Sequence, residues 1–368
     1  MKILILAGEA SGDLHASNLI YSFKNIDPAA EIYGIGGNKM EKAGVQIIYP
    51  YDKISVVGFS EIFSKIFALK EARRQISLLL RKNKFDFAVT VDFPGFNIPL
   101  ARLLKNKGIP VFYFITPQIW AWGKWRSKSL SKYFKGLFVI YPFEKIFFKK
   151  EGIESFFLGN PLVEIVKVDN NSEKKELPRG NPLIAILPGS RETEIKRLLI
   201  PIIKAYKIFK KNHPESNAVV ALHEEKDLWL IKKIGKELLG DIEIFYGRTY
   251  DILERADLAI VSSGTATVEA GILQTPMVIV YKLSYISWLV SKTLVKVKQF
   301  GLVNIILGDR IVPELIQKEV NPERIAKELE GIYGKRKEIT EHLKNLKPLL
   351  GSRGVYDRIA RKIFSMVE

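Results

Sequence analysis

The 368 residues include no cysteine. Disulfides, thiolate nucleophiles and zinc–sulfur sites are therefore excluded. Histidine is scarce too. His15, His213, His223 and His342 lie far apart, and none forms a pair at metal-ligand spacing. The expectation is a protein with no metal and no cofactor. No apolar run is long and unbroken enough to span a bilayer; the most apolar stretch, residues 108–123, is interrupted by Pro110 and Pro117. The opening MKILILAGEASGD has only a short apolar run, which leads into a Gly-Glu turn rather than a cleavage site, so it reads as a first strand and not as an export signal. Acidic residues are in deficit, 40 against 57 Lys and Arg, for a net charge of +17. That excess suits an acidic partner such as nucleic acid, a phosphorylated substrate or an anionic membrane. It equally suits the Lys- and Glu-rich surface of a heat-tolerant protein. The basic residues are scattered, with no basic arm, so nucleic acid is not expected as a partner.

What is present is an ordinary globular composition, 47% hydrophobic and 26% charged. The length suits two domains. Unbroken apolar runs of parallel-strand type alternate with helical periodicity in both halves. In the first half the strands are residues 2–7, 32–36, 46–49, 87–91, 111–115, 137–141 and 156–159. In the second they fall near 183–187, 218–222, 242–246, 258–261 and 277–281. The polar, Pro- and Gly-containing stretch 167–182 reads as a linker. The expected plan is an N-terminal domain of residues 1–166 and a C-terminal domain of 183–349, with the last helix, about 350–368, packing back. The fold class is α/β: two Rossmann-like parallel-sheet domains facing a central cleft.

Two stretches carry the strongest chemical signal. ILPGSR, residues 186–191, and SSGTATVE, residues 262–269, each read as strand, tight turn and helix N-terminus. Such a turn presents free N–H groups and a partial positive charge to an anion. Gly189 and Gly264 allow close backbone approach, with Ser190, Ser263 and Thr265 beside them, and Arg191 has the forked geometry for phosphate. Glu269, about one helical turn on, is placed for the hydroxyls of a ribose. Either motif alone is also an ordinary β–α turn; the pair favours a nucleotide-diphosphate site.

In the first half, Asp92 ends the strand 87–91, where doubly wound folds place ligands, and is the first choice for a catalytic carboxylate. A helix N-cap is the alternative. The loop of residues 8–13, with Glu9, Ser11 and Gly12, follows strand one. The segment 117–125, PQIWAWGKW, carries Trp120 and Trp122 around a glycine and reads as core or as an acceptor-binding wall. Residues 56–82 are helical by periodicity, with Phe and Ile beside Lys and Arg. Together with YISWLVSKTLVKVKQF, residues 285–300, they are candidates for core packing, dimer packing or contact with a membrane. A loop bearing Asn304 is expected at 301–309.

Several of these blocks resemble one family. AGEASGDLHASNLI, VDFPGFNIPLARLLKNKGIPVFYFITPQIWAW, PFEKIFFKKEGIESFFLGNPL, ILPGSRETEIKRLL, SSGTATVEAGILQTPMVIVYK and NIILGDRIVPELIQ look like the lipid-A-disaccharide synthase family, in family order from residue 7 to about 317. The resemblance implies a GT-B glycosyltransferase of lipid A and lipopolysaccharide biosynthesis, peripheral to the cytoplasmic face of the bacterial inner membrane. Its substrates would be UDP-2,3-diacylglucosamine and 2,3-diacylglucosamine 1-phosphate (lipid X), joined with inversion to a β-1,6-linked disaccharide phosphate with release of UDP. Asp92 falls on the aspartate the family needs, Arg191 on the PGSR arginine, and Asn304 on an asparagine near the nucleotide-sugar. Glu9 and Ser11 fall in the first loop. Relatives usually carry a second acid where this chain has Gly95, and a histidine where it has Asn160. Two readings keep the fold and change the reaction: a UDP-N-acetylglucosamine 2-epimerase, or a lipid-intermediate transferase of wall synthesis.

Overall fold

The computed structural model describes residues 1–54, 62–121, 123–168, 176–222, 225–234, 236–284 and 299–368. They fold into two compact units, Met1–Pro161 with Gly351–Glu368, and Leu162–Leu350.

The first unit is a doubly wound sheet. Its strands are β1 (Lys2–Ala7), β2 (Glu31–Gly36), β3 (Gln46–Pro50), β4 (Phe87–Val91), β5 (Val111–Phe114), β6 (Gly136–Val139) and β7 (Ser155–Phe157). They lie in the order β3-β2-β1-β4-β5-β6-β7, and every pair is parallel. Helices cover both faces, which is why β1, β4 and β5 read as continuous apolar runs. One face carries α1 (Ala10–Ile26) and the C-terminal helix Val355–Val367. The other carries α3 (Ile62–Lys82), α4 (Pro94–Asn106), α5 (Ser127–Tyr133) and α6 (Pro142–Lys150). The short α2 (Asn38–Lys42) follows β2. Its N-terminus is tied to α1 by Asp13, whose buried carboxylate accepts the N–H groups of Gly37, Lys39 and Met40 at 2.7, 3.1 and 3.2 Å.

The second unit begins with α7 (Leu162–Ile165) and repeats the plan. It runs β8 (Leu183–Leu187), α8 (Glu192–Asn212), β9 (Asn217–Leu222), α9 (Leu228–Ile234), α10 (Lys236–Leu239), β10 (Glu243–Tyr246), α11 (Thr249–Arg255), β11 (Leu258–Ser262), α12 (Thr265–Ile272), β12 (Met277–Tyr281), α13 (Leu302–Leu307) and β13 (Glu314–Ile316). Helices α14 (Pro322–Gly334), α15 (Arg336–Leu343) and α16 (Leu346–Leu350) close it, and α17 is the returning Val355–Val367. The sheet order is β10-β9-β8-β11-β12-β13, again all parallel. Helix α8 buries Ile195, Leu198, Leu199, Ile202, Ile203, Tyr206 and Phe209, the three-and-four spacing of one apolar stripe.

Several local expectations are corrected. The loop expected at 8–13 is helical from Ala10, with Glu9 at the N-cap. Its small residues serve packing rather than a turn: a Cβ on Gly12 would stand 3.3 Å from the Ala7 Cβ. Helix α4 starts at Pro94, whose fixed φ suits a first helical position. The loop expected at 301–309 contains α13, and a strand, β13, follows it. LVNIIL has no strong helix propensity; tertiary bonds to Asn304 and Glu314 fix it instead. Of the two lysine-rich amphipathic candidates, 62–82 is helical, whereas residues 56–61 and all but 299 and 300 of the segment 285–300 lie outside the described residues.

Candidate active site

In an open parallel sheet, the crevice for a ligand forms at the carboxyl ends of the two strands where the winding reverses. In the first unit those strands are β1 and β4, paired to their last residues, Ala7 with Val91. Just beyond them stand Glu9 and Asp92.

The backbone at Asp92 is held in an unusual state. Asp92 and Phe93 both have φ 47°, in the left-handed region that costs a side-chain-bearing residue of order 1–3 kcal/mol. Tertiary bonds enforce it. The Tyr113 hydroxyl donates to the Asp92 carbonyl at 2.8 Å, and the buried Asn97 amide donates to the carbonyls of Val91 and Asp92 at 3.2 and 2.6 Å. Asp92 N–H reaches the Phe114 carbonyl at 3.1 Å. Phe93, not Asp92, is the N-cap of α4, because Pro94 takes the first helical position. The Asp92 carboxylate accepts the Phe93 N–H at 2.8 Å. Burial, and then the charge of Glu9, push its pKa up to about 6, against the opposing pull of the Phe93 N–H. Such a group is largely ionised at neutral pH yet more basic than a free aspartate.

Gly8 is required by what lies over it. A Cβ there would fall 2.3 Å from the Phe93 ring, so the turn after β1 and the turn after β4 fit together. Gly12 is buried and Ser11 is exposed on the first turn of α1. Gly95 is exposed on α4, with open space where a side chain would project. Glu9 is therefore the carboxylate whose field acts on Asp92 in this chain.

Trp120 is half-buried and anchored. Its indole N–H donates to Glu144 at 3.1 Å, and its ring meets Phe143 edge-on at 4.9 Å. Glu144 is buried at the start of α6 and also accepts the N–H groups of Ile140 and Tyr141. Burial pushes its pKa up to about 7 despite those three donors. Asn160, also buried, donates to the Ile140 carbonyl at 2.9 Å. Trp122 lies outside the described residues.

In the second unit the winding reverses between β8 and β11, paired to Leu187 with Val261. The turn Pro188–Arg191 follows the first, and Ser263-Gly264 follows the second. Gly189 (φ 122°) and Gly264 (φ 145°) have backbones that side-chain-bearing residues rarely adopt, and both turns lead directly into helix N-termini. Arg191 is 77% exposed. Its guanidinium meets Glu194 at 3.1 Å, and the other oxygen of Glu194 accepts the Ser190 N–H at 3.2 Å. The loop's donors are thus already turned toward a carboxylate. Tyr281, at the end of β12, senses the same pair: burial and Glu194 raise its pKa while Arg191 lowers it. Glu269 is half-buried on α12 and accepts the Tyr250 hydroxyl at 2.9 Å.

Two residues of the expected set face inward. The Ser263 hydroxyl donates to the Phe300 carbonyl at 2.9 Å. Asn304 is fully buried: its amide nitrogen donates to Val312 and Glu314, and its oxygen accepts the N–H groups of Ile311 and Val312. Glu314 also accepts the Phe300 and Gly301 N–H groups at 2.7 and 3.0 Å, so this cluster ties α13 and residue 300 beside the Ser263 turn. The sequence reading missed Glu194, Tyr250, Tyr113, Asn97 and Glu144. Glu194 alone had a legible signal, standing three residues past the helix cap, where a capping glutamate belongs.

Two all-parallel sheets, each doubly wound about its own switch point, have the architecture of the GT-B fold. Solved structures share this fold. A putative UDP-N-acetylglucosamine 2-epimerase from Listeria monocytogenes aligns with TM-score 0.70 at 13% identity, covering 100% of this chain and 96% of its own. The UDP-GlcNAc 2-epimerase from Neisseria meningitidis, solved with UDP-GlcNAc bound, aligns with TM-score 0.69 at 12% identity, covering 99% and 100%. The sequence goes further than the fold. Residues 3–362 match the family described as Lipid-A-disaccharide synthetase. The Lipid-A-disaccharide synthase of Syntrophus aciditrophicus (strain SB) is 37% identical over 374 residues, 100% of this chain and 98% of its own. The chain belongs to the lipid-A-disaccharide synthase family.

Proposed function

We propose that the chain transfers the sugar of UDP-2,3-diacylglucosamine to the 6-hydroxyl of 2,3-diacylglucosamine 1-phosphate, giving the β-1,6-linked disaccharide 1-phosphate and UDP. Full-length membership of the family carries the reading, and the two switch-point centres give it residues. The bond between the anomeric carbon and the UDP oxygen breaks with its electron pair leaving on the diphosphate. The acceptor oxygen bonds to that carbon from the opposite face, and its proton passes to Asp92 as general base. A base with a pKa about 6 suits that task at neutral pH.

Diphosphate charge is met by Arg191, the Ser190 N–H and the N-termini of α8 and α12. Glu194 now holds the first two, so it is an internal anion that the diphosphate displaces on binding and that returns as UDP leaves. Glu269, positioned by Tyr250, takes the ribose hydroxyls. Asn304 acts indirectly, by fixing α13 next to the Ser263 turn. Glu9 tunes Asp92, and Trp120 forms part of the acceptor wall. Acylated substrates place the enzyme on the cytoplasmic face of the inner membrane as a peripheral protein; among the described residues no helix is long and apolar enough to cross it.

The test is UDP release from UDP-2,3-diacylglucosamine, with and without lipid X, for the native chain and Asp92→Asn. Acceptor-dependent release that falls about 10²–10⁴-fold in the variant is expected of a lost general base. Release surviving the substitution would reduce Asp92 to a positioning role. Release independent of the acceptor would overturn the synthase reading.

A further inference from the structure

The carboxyl ends of β8, β11 and β12 lie side by side in the second sheet. The first two lead into the turns that carry Arg191 and Gly264. The third ends on Tyr281.

Register fixes where Tyr281 stands. Ser262 pairs with Val280, so Ser263 and Tyr281 are the next neighbours across the two strands. The Ser263 N–H reaches the Val280 carbonyl at 3.0 Å. Ile279 and Tyr281 project to one face of β12. Ile279 packs against Gly301, where a Cβ would fall 2.3 Å from it, so that face looks at residues 300 and 301. The Phe300 ring lies along the Tyr281 ring, with centroids 6.4 Å apart and planes 29° from parallel. Phe300 is itself fixed: the Ser263 hydroxyl donates to its carbonyl, and Glu314 accepts its N–H. Tyr281 is thus packed in a defined corner beside the Ser263-Gly264 turn.

The hydroxyl is what this corner leaves unused. Tyr281 is half-buried, and among the described residues its hydroxyl forms no hydrogen bond. A partly desolvated phenol ordinarily has a partner. The charges of the Ser190–Arg191 turn reach it as well: burial and then Glu194 raise its pKa, while Arg191 lowers it. At neutral pH it keeps its proton and is a donor.

The direction of a nucleotide along the sheet brings one phosphate to it. Glu269, the ribose residue, is held by Tyr250 of α11, and α11 packs on β8 and β9. Tyr281 lies on the other side of β11. With its ribose at Glu269 and its phosphates at the two turns, the nucleotide runs toward β12. The phosphate farther from the ribose comes to the Tyr281 side.

We infer that the Tyr281 hydroxyl donates a hydrogen bond to the distal phosphate of bound UDP, the one that carries the breaking bond to the sugar. The proton stays on the phenol, and the bond strengthens as the diphosphate gains charge on leaving. The inference rests on the diphosphate-site reading above and adds to it a donor from a third strand.

Calorimetric binding of UDP, and of UMP, which lacks the distal phosphate, tests it in the full chain. Tyr281→Phe keeps the ring against Phe300 and removes only the hydroxyl. The UDP Kd should rise about tenfold, with the UMP Kd within about twofold of the native value. The kcat of transfer should fall about 10–100-fold. The ratio of the two constants is insensitive to an unfolded fraction, which weakens both alike. Equal weakening of UDP and UMP would place the hydroxyl on the nucleoside or in the packing of the corner, and would overturn the contact. A UDP Kd unchanged by the substitution would overturn it too. If the native chain binds UDP no more tightly than UMP, the diphosphate site itself falls, and this inference with it. A native preference for UDP that survives Tyr281→Phe removes the inference alone.

Discussion

Asp92 combines two costs that a residue with only a structural role has little reason to bear: a left-handed backbone and a half-buried, desolvated carboxylate near a second acid. Its basicity is therefore adjustable from Glu9. The rate of transfer should fall as pH drops through about 6, where Asp92 takes up a proton. In Glu9→Gln the repulsion is gone, so the carboxylate should titrate lower and the acid limb of the kcat/KM profile should shift to lower pH. A limb that stays in place would assign it to another group. Glu194 makes a separate prediction. If it competes for the donors of the Ser190–Arg191 turn, Glu194→Gln should tighten UDP inhibition by up to about fivefold, the roughly 1 kcal/mol ceiling of an exposed ion pair. If it instead holds Arg191 in position for the nucleotide, the inhibition constant for UDP should weaken. Sequence made Asp92, Arg191, Gly189 and Gly264 visible because their types carry a chemical signature at strand ends. It could not show Tyr113 or Asn97, whose importance lies in bonds to a carbonyl formed only when β4, β5 and α4 pack.

Elements were legible where hydrophobic period decided them and misread where tertiary bonds did. The apolar runs of β1, β4, β8 and β11 left no alternative, since buried parallel strands are apolar on both faces. α13 was invisible because its helix depends on Asn304 and Glu314, residues that pay no tribute to local propensity. The small residues after β1 looked like a loop, yet Gly12 serves the close approach of α1 to the sheet. The join of α1 to α17 has a titratable component. His15 is half-buried, and its ring nitrogen lies 3.0 Å from the Tyr356 hydroxyl. Burial, then Lys39, lower its pKa from 6.5 to about 4. The unfolded chain takes up a proton between those values that the native state refuses. Stability is therefore full above about pH 6.5 and declines as pH falls toward about 4. The urea midpoint should fall between pH 7 and pH 5 in the native chain, and fall less in His15→Gln. Equal slopes would mean the imidazole is not held neutral.

At the scale of the molecule, the notable feature is that the last helix belongs to the first unit. The chain crosses into the second unit at Leu162, completes it at Leu350, and returns. Val355, Tyr356, Ile359, Ile363 and Phe364 of α17 are buried against α1 and the sheet, with Phe364 meeting Phe23 and Phe87 at 5.8 Å. Five such side chains at about 2 kcal/mol each contribute roughly 10 kcal/mol, which is as large as the whole stability of a typical domain. Removing residues 351–368 should therefore unfold the first unit and leave the second intact. The truncated chain should keep UDP binding, which needs only the turns after β8 and β11, and should lose transfer, which needs Asp92. Hydrogen exchange would show it directly. Protection should disappear from β1, β4 and β5 and persist in β8, β11 and β12. Loss of UDP binding together with transfer would mean that the second unit depends on the first for its own fold, and that the two compact units are one cooperative structure.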